Sequence, residues 1–282
     1  MDRQKENRQR KIAAIHDISC LGRCSLTVAL PILSVLGIET NVIPTAVLSS
    51  HTGEFTGYTF RDLTEDILPI ANHWRSLGRR YDALYTGYFG NIRQLGIVKK
   101  VFDLLSDEDT LKFIDPVMAD NGALYSNFDM AYVAEMKRFC RKADIILPNI
   151  TESCFLTDSP YTEGPYSEEY IYGLLNKLRK LDTGYTVLTG VHTEKGYGAA
   201  WMDNQSGTWD MVLGTYVEGC FYGAGDTLAS VLLGKYLKDG SIEKAVEAAV
   251  DFTHKAIQNT KQNSQDFKYG LLFEELLGEL LQ

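Results

Sequence analysis

Gly223-Ala224-Gly225-Asp226 stands where a small-residue segment gives way to the apolar helical run Thr227-Leu228-Ala229-Ser230-Val231-Leu232-Leu233. Two glycines let the backbone turn tightly and offer its N–H groups to an anion, the helix start adds partial positive charge, and Asp226 sets a carboxylate at the rim. That is the equipment of a phosphoryl-transfer site. The same four residues also suit a plain helix cap, because an acidic residue in the first turn is favoured electrostatically. The polar clusters elsewhere in the chain decide between the two.

Ile114-Asp115-Pro116 puts a carboxylate directly after an apolar run and then a proline that stops strand pairing. Asn149-Ile150-Thr151-Glu152 follows Ile145–Pro148 in the same way. Acidic groups gathered at neighbouring strand ends are costly unless paired, protonated or offset by a cation. Mg²⁺ takes one or two carboxylates together with phosphate oxygens and waters. Asp115 and Glu152 therefore read as the carboxylates of a magnesium–nucleotide site. Ser49-Ser50-His51-Thr52-Gly53 gathers hydroxyls, an imidazole and a glycine after another apolar run, so Ser49, His51 and Thr52 suit a polar aromatic substrate. Tyr88, in Tyr85-Thr86-Gly87-Tyr88, serves either as an aromatic wall beside a flat ring or as core. His16-Asp17-Ile18-Ser19-Cys20-Leu21-Gly22-Arg23-Cys24-Ser25 is either an ordinary turn into a helix or a ligand loop. In the second case Asp17 is its best-placed contact. Phe221-Tyr222 either covers phosphates or packs, and both readings stay open.

The elements that position these residues alternate between short β-branched runs and longer amphipathic segments, the pattern of βαβ units on a largely parallel sheet. The predicted strands are 11–16, 40–47, 83–86, 111–114, 145–147 and 186–189, with helices over 26–36, 63–77, 92–105, 130–141 and 168–181. A strand pair, 197–202 and 208–217, is joined by Asp203-Asn204-Gln205-Ser206-Gly207. Beyond Asp226 the chain reads as helical to its end, with Ser241 as an N-cap. No repeat or linker divides the sequence, and a single α/β domain over 1–282 is the simpler organisation. Each polar cluster follows a predicted strand, at the edge where open α/β sheets bind ligands.

Composition narrows the partners. At 282 residues and 45% hydrophobic the chain can bury a full core, and no apolar run approaches the roughly 20 residues that cross a bilayer. Net charge of −9 argues against nucleic acid, which demands a clustered positive field. Five scattered cysteines without a CxxC pair fit free thiols in a reducing cytoplasm better than a metal centre built on His16, Cys20 and Cys24. Residues 1–11 are almost wholly polar and read as a frayed, solvated lead-in rather than an export signal.

From Lys11 onward the assembled segments resemble the ribokinase-like superfamily, and within it the vitamin B6 (pyridoxal/pyridoxamine) kinases. The likeness rests on Leu48-Ser49-Ser50-His51-Thr52-Gly53, Tyr85-Thr86-Gly87-Tyr88, Asp115-Pro116-Val117-Met118-Ala119-Asp120, Pro148-Asn149-Ile150-Thr151-Glu152 and Gly223-Ala224-Gly225-Asp226. The resemblance implies a three-layer α/β/α sandwich and ATP-dependent phosphorylation of the 5′-hydroxymethyl group of a B6 vitamer. It makes Asp226 the catalytic base and the N–H groups of Gly223, Ala224 and Gly225 the anion hole. Glu152 then orients Mg²⁺ through water with Asp115 on the same side. Asn149 belongs to the same motif, and Thr189 contacts nucleotide phosphate. It further implies a homodimer and the use of a monovalent cation such as K⁺. One departure is Asp17, where many pyridoxal kinases carry serine; a carboxylate there would accept from a protonated ring nitrogen or from the amine of pyridoxamine. Two alternatives remain at this level: a hydroxymethylpyrimidine kinase of thiamine biosynthesis, and a degenerate kinase that only senses a vitamer.

Overall fold

The computed structural model describes residues 8–281. In chain order the elements are β1 (Lys11–Ser19), α1 (Leu26–Val35), β2 (Glu39–Leu48), β3 (Phe60–Asp62), α2 (Thr64–Ser76), β4 (Ala83–Thr86) and α3 (Ile92–Leu105). Then come β5 (Leu111–Ile114), β6 (Ala119–Asp120), β7 (Ala123–Leu124), α4 (Met130–Cys140), β8 (Ile145–Ile146), α5 (Ile150–Thr157) and α6 (Glu168–Leu178). The chain ends with β9 (Tyr185–Thr193), β10 (Gly196–Asp203), β11 (Trp209–Gly214), α7 (Ala224–Asp239) and α8 (Ile242–Asn263), followed by short 3-10 turns.

Nine strands form one sheet in the order β11-β10-β9-β8-β5-β4-β1-β2-β3. The run from β2 through β1, β4, β5 and β8 to β9 is parallel, while β3, β10 and β11 pair antiparallel at the two edges. Strand β1 shows why the sheet is sandwiched. Ile12 and Ala14 face a core shared with α1, α7 and α8, whereas Ala13 and Ile15 face a second core with α2, α3 and α4. Side chains that alternate across a strand need helices on both faces when every one of them is apolar. A third, smaller cluster joins α5 and α6 to β9 and β10. The α/β/α sandwich implied by the resemblance is the observed architecture.

Local chemistry accounts for the boundaries. Asn91 caps α3 by accepting from the Arg93 and Gln94 amides, Ser167 caps α6, and Ser241 caps α8 by accepting from Lys244 N. Three expectations need correction. Strand β1 runs on through Ser19, so His16 to Ser19 belong to the sheet and not to a loop. The chain is not helical to its end: α8 stops at Asn263, and Gly270, at φ 85°, separates the 3-10 turns Phe267–Tyr269 and Glu274–Leu281. In the polar lead-in, residues 1–7 lie outside the described residues, but Arg8 and Arg10 are not frayed. Both donate to Asp82 Oδ1, at 2.7 and 3.0 Å.

Gln94, fully buried on α3, ties three elements that frame the site. Its amide donates to Thr45 O and Thr64 Oγ1 and accepts from Gly90 N. Gln94→Leu would leave the Gly90 N–H unpaired, at about 1–3 kcal/mol, and would leave Thr45 O with the Leu63 amide as its remaining donor. We expect Tm to fall by about 4–10 °C, read by calorimetry; a melting point within a degree of the parent protein would contradict that role.

Candidate active site

At the start of α7 Gly223 adopts the left-handed conformation, φ 75°, and a Cβ there would stand 2.1 Å from Arg23 O. Glycine is required both by the turn and by this contact of two backbones. Among the described residues no carbonyl accepts from the N–H of Gly223, Gly225 or Asp226, and Ala224 N has only a 3.4 Å contact with Phe221 O. These are the orphan donors of a helix N-terminus, aimed where the macrodipole favours negative charge.

The Asp226 carboxylate stands beside them, its side chain 12% exposed. Oδ2 accepts from Ser25 N at 2.8 Å, with Cys24 Sγ at 3.4 Å, and Oδ1 lies 3.1 Å from His16 Nε2. Burial would push this carboxyl up, but the hydrogen bond and charge of His16 and the Ser25 amide outweigh it and hold it below the usual aspartate value. Asp226 is thus an ionised acceptor at neutral pH.

The other predicted residues gather at the carboxyl edge of the parallel strands: Asp17 near the end of β1, Tyr88 after β4, Asp115 after β5, Asn149 and Glu152 after β8, and Thr189 on β9. Asp115 is 8% exposed, and no group among the described residues donates a hydrogen bond to its side chain. Burial, and then the negative charge of Asp226, carry its carboxyl up to about 8. Glu152 is differently placed. It closes a capping box with Asn149, accepting from Met118 N at 3.0 Å and Asn149 N at 2.8 Å while the Asn149 side chain accepts from Glu152 N. Burial and Asp115 push Glu152 well above the ordinary glutamate value. A buried carboxylate without a donor, beside two more, is a site that a cation would complete. The described residues hold no cluster of three His, Cys, Asp or Glu side chains able to cage a metal unaided. The oxygen donors of Asp115 and Glu152 are of the kind that Mg²⁺ takes together with waters and phosphate oxygens. Thr189 N donates to Pro148 O, and its half-buried side chain lies on the same edge.

The substrate loop is placed less simply. Thr52 is exposed, and Ser49 Oγ accepts from Thr59 N. The His51 ring is engaged internally: Nε2 donates to Lys268 O at 2.5 Å, Nδ1 accepts from Gly53 N, and its face stacks on Tyr222 at 4.8 Å. A Cβ on Gly53 would meet the Tyr222 ring at 2.2 Å. Tyr222 also donates to Glu54, and Phe221 packs on Phe267. This aromatic pair packs here, and Tyr222 fastens the 51–54 loop to the Gly223 turn. Tyr88 is half-buried beside Phe128, with its hydroxyl accepting from Asn127. Asp17 does not face outward as a ligand contact. β1 is irregular between His16 and Ile18, and the Asp17 carboxylate turns in to His16 Nδ1, 2.9 Å, and Ser19 Oγ, 3.1 Å. Sequence reasoning assigned no role to His16 or to the Ser25 amide. The one available signal was an ionisable pair, His16-Asp17, continuing an otherwise apolar strand.

A family model described as phosphomethylpyrimidine kinase matches residues 80–269, two thirds of the sequence. The chain belongs to that kinase family. Among solved structures, a Bacteroides thetaiotaomicron protein named as a candidate phosphomethylpyrimidine kinase, in a crystal form with pyridoxal, is 36% identical. It superposes with a TM-score of 0.91 over 98% of this chain and 96% of its own. Pyridoxal kinase from Lactobacillus plantarum is 30% identical, with a TM-score of 0.88 over 97% and 96% of the two chains. A candidate pyridoxal kinase of Schizosaccharomyces pombe is 25% identical over 277 residues, 90% of this kinase and 86% of the yeast protein. The ribokinase-like, B6-kinase resemblance read from the short motifs agrees with these relatives. No helix among the described residues is long and apolar enough to cross a membrane.

Proposed function

We propose that this kinase transfers the γ-phosphoryl group of ATP to the 5′-hydroxymethyl group of a B6 vitamer, pyridoxal, pyridoxamine or pyridoxine, giving the 5′-phosphate for pyridoxal phosphate salvage. The observation that carries this reading is an ionised Asp226 held beside the unpaired amides of Gly223 and Gly225. The pyridoxal in the 36%-identical relative supplies the substrate class.

In the step itself, Asp226 accepts the proton of the acceptor hydroxyl. The hydroxyl oxygen bonds to the γ-phosphorus, the bond from phosphorus to the β,γ-bridging oxygen breaks, and ADP leaves with that electron pair. In a loose transition state charge spreads over the transferred oxygens, and amides already aimed at them need no reorganisation. Asp115 and Glu152 are the residues that would hold Mg²⁺, directly or through water. When bound the ion supplies charge neutralisation at the phosphates. Asn149 fixes Glu152, and Thr189 stands on the phosphate side. Ser49, Thr52 and Tyr88 line the acceptor side; His51 acts there by fixing the loop to the C-terminal segment. The reading extends to a cytoplasmic homodimer using K⁺, and five free cysteines agree with a reducing compartment.

The second reading, a hydroxymethylpyrimidine kinase, is favoured by the description of the matching family model. ADP release coupled to a spectrophotometric readout, with Mg-ATP against pyridoxal, pyridoxamine, pyridoxine and hydroxymethylpyrimidine, separates the two. We expect kcat/KM on at least one vitamer to exceed that on the pyrimidine by about tenfold or more. Turnover of the pyrimidine alone would assign the enzyme to thiamine metabolism, and tight vitamer binding without ADP release would make it a sensor.

A further inference from the structure

We propose that His16 is a positioning residue of the phosphoryl-transfer step: wedged between Asp17 and Asp226, it keeps a proton on Nε2 that holds the Asp226 carboxylate ionised and aimed at the acceptor hydroxyl. The inference rests on the kinase reading and assigns a part to a residue outside the motifs that carry it.

The geometry is tight. His16 is 1% exposed, with Nδ1 2.9 Å from Asp17 Oδ1 and Nε2 3.1 Å from Asp226 Oδ1. Asp17 is itself fixed by Ser19 Oγ. Gly87 leaves the space for the ring, since a Cβ there would stand 2.0 Å from His16 Nε2. Two proton arrangements fit these neighbours. A neutral ring accepts at Nδ1 from the Asp17 and Tyr88 amides, at 2.9 and 3.3 Å, and an imidazolium instead donates from Nδ1 to the Asp17 carboxylate. Both put hydrogen on Nε2, facing Asp226. The donor is therefore independent of the charge state of the ring.

The titratable groups around the ring are Asp17 on its own strand, Asp226 on α7, Cys24 in the β1–α1 loop, Tyr85 edge-on at 6.0 Å on β4, and Asp115 after β5. Burial alone would lower the imidazole. The hydrogen bonds and charges of the two aspartates reverse that and carry it up to about 10, so the imidazolium prevails at neutral pH. A cation behind the base keeps Asp226 unprotonated in the resting enzyme while its remaining lone pairs stay available to the substrate.

Two substitutions separate positioning from packing. His16→Gln can present an amide nitrogen near the Nε2 position, whereas His16→Asn reaches only as far as Nδ1 and leaves Asp226 without its donor. With Mg-ATP and whichever acceptor the parent enzyme turns over best, we expect kcat to fall about 10–100-fold in His16→Asn and less than about tenfold in His16→Gln. KM for ATP should stay within about twofold. The acid limb of the kcat–pH profile should move to higher pH in both, because the positive charge behind Asp226 is gone. An unmoved acid limb, or losses of activity that are equal in the two variants and track their melting temperatures, would overturn the proposal. Long-range ¹H–¹⁵N NMR on the unsubstituted protein gives a readout free of turnover and of folding defects in the variants. Nε2 of His16 should remain protonated from pH 6 to pH 9, and an unprotonated Nε2 would overturn the assignment even if the enzyme proved active on the pyrimidine only or on none of these acceptors.

Discussion

Asp226→Asn should lower kcat at least about 100-fold while leaving ATP binding largely intact. The side chain keeps its shape, but the amide cannot take the hydroxyl proton. Its NH₂ also has to face either the Ser25 N–H or the His16 Nε2–H, donor against donor, because both flank the carboxylate now. Asp226→Ala should lose a comparable factor without that conflict, so the pair distinguishes loss of the base from local repulsion. Coupled ADP release gives kcat, and calorimetric titration with ATP gives the binding constant. Near-normal turnover in either variant would remove Asp226 as the base.

Gly223→Ala is the second large effect. The substitution would place an L-residue at φ 75° and force its Cβ to 2.1 Å from Arg23 O, a backbone atom that cannot swing aside. The turn must shift, carrying the amides of Gly223, Ala224 and Gly225 with it. Loss of one such donor typically lowers kcat by about 10²–10³. We expect a fall of that size, with a loss of about 1–3 kcal/mol in stability from the strained backbone. Turnover and melting temperature both close to those of the parent would contradict the anion hole. A large stability loss with unchanged kcat in the folded fraction would make this glycine purely structural.

How much of this was legible beforehand follows from where the information lies. The strands 83–86 and 111–114 and the helix 92–105 coincide with β4, β5 and α3, because apolar periodicity marks them locally. The strand-end rule also collected Asp115, Asn149 and Glu152 on one edge from the sequence, while Asp226 was read from the glycine turn ahead of an apolar helical run. Helix α5 was not visible, since an eight-residue segment opened by a capping box looks like a polar loop when its partners are unknown. β3 is three exposed residues without alternation. The site's finer wiring was beyond reach for the same reason. His16 meets Asp226 across 210 positions, and His51 meets Lys268 across 217. Asp17 read as an open ligand contact because strand periodicity cannot reveal an irregularity that turns the carboxylate inward. Such long-range hydrogen bonds leave only one trace in a sequence, an ionisable residue where an apolar one is expected.

The most direct measurement is ³¹P NMR of the parent enzyme incubated with Mg-ATP and pyridoxal. A phosphate monoester resonance should appear in step with ADP, with one product phosphorylated at the 5′ position for each ATP consumed, and both signals should vanish with Asp226→Asn. ADP formed with inorganic phosphate alone, or no monoester on any B6 vitamer, would contradict the assignment of this chain as a B6 kinase.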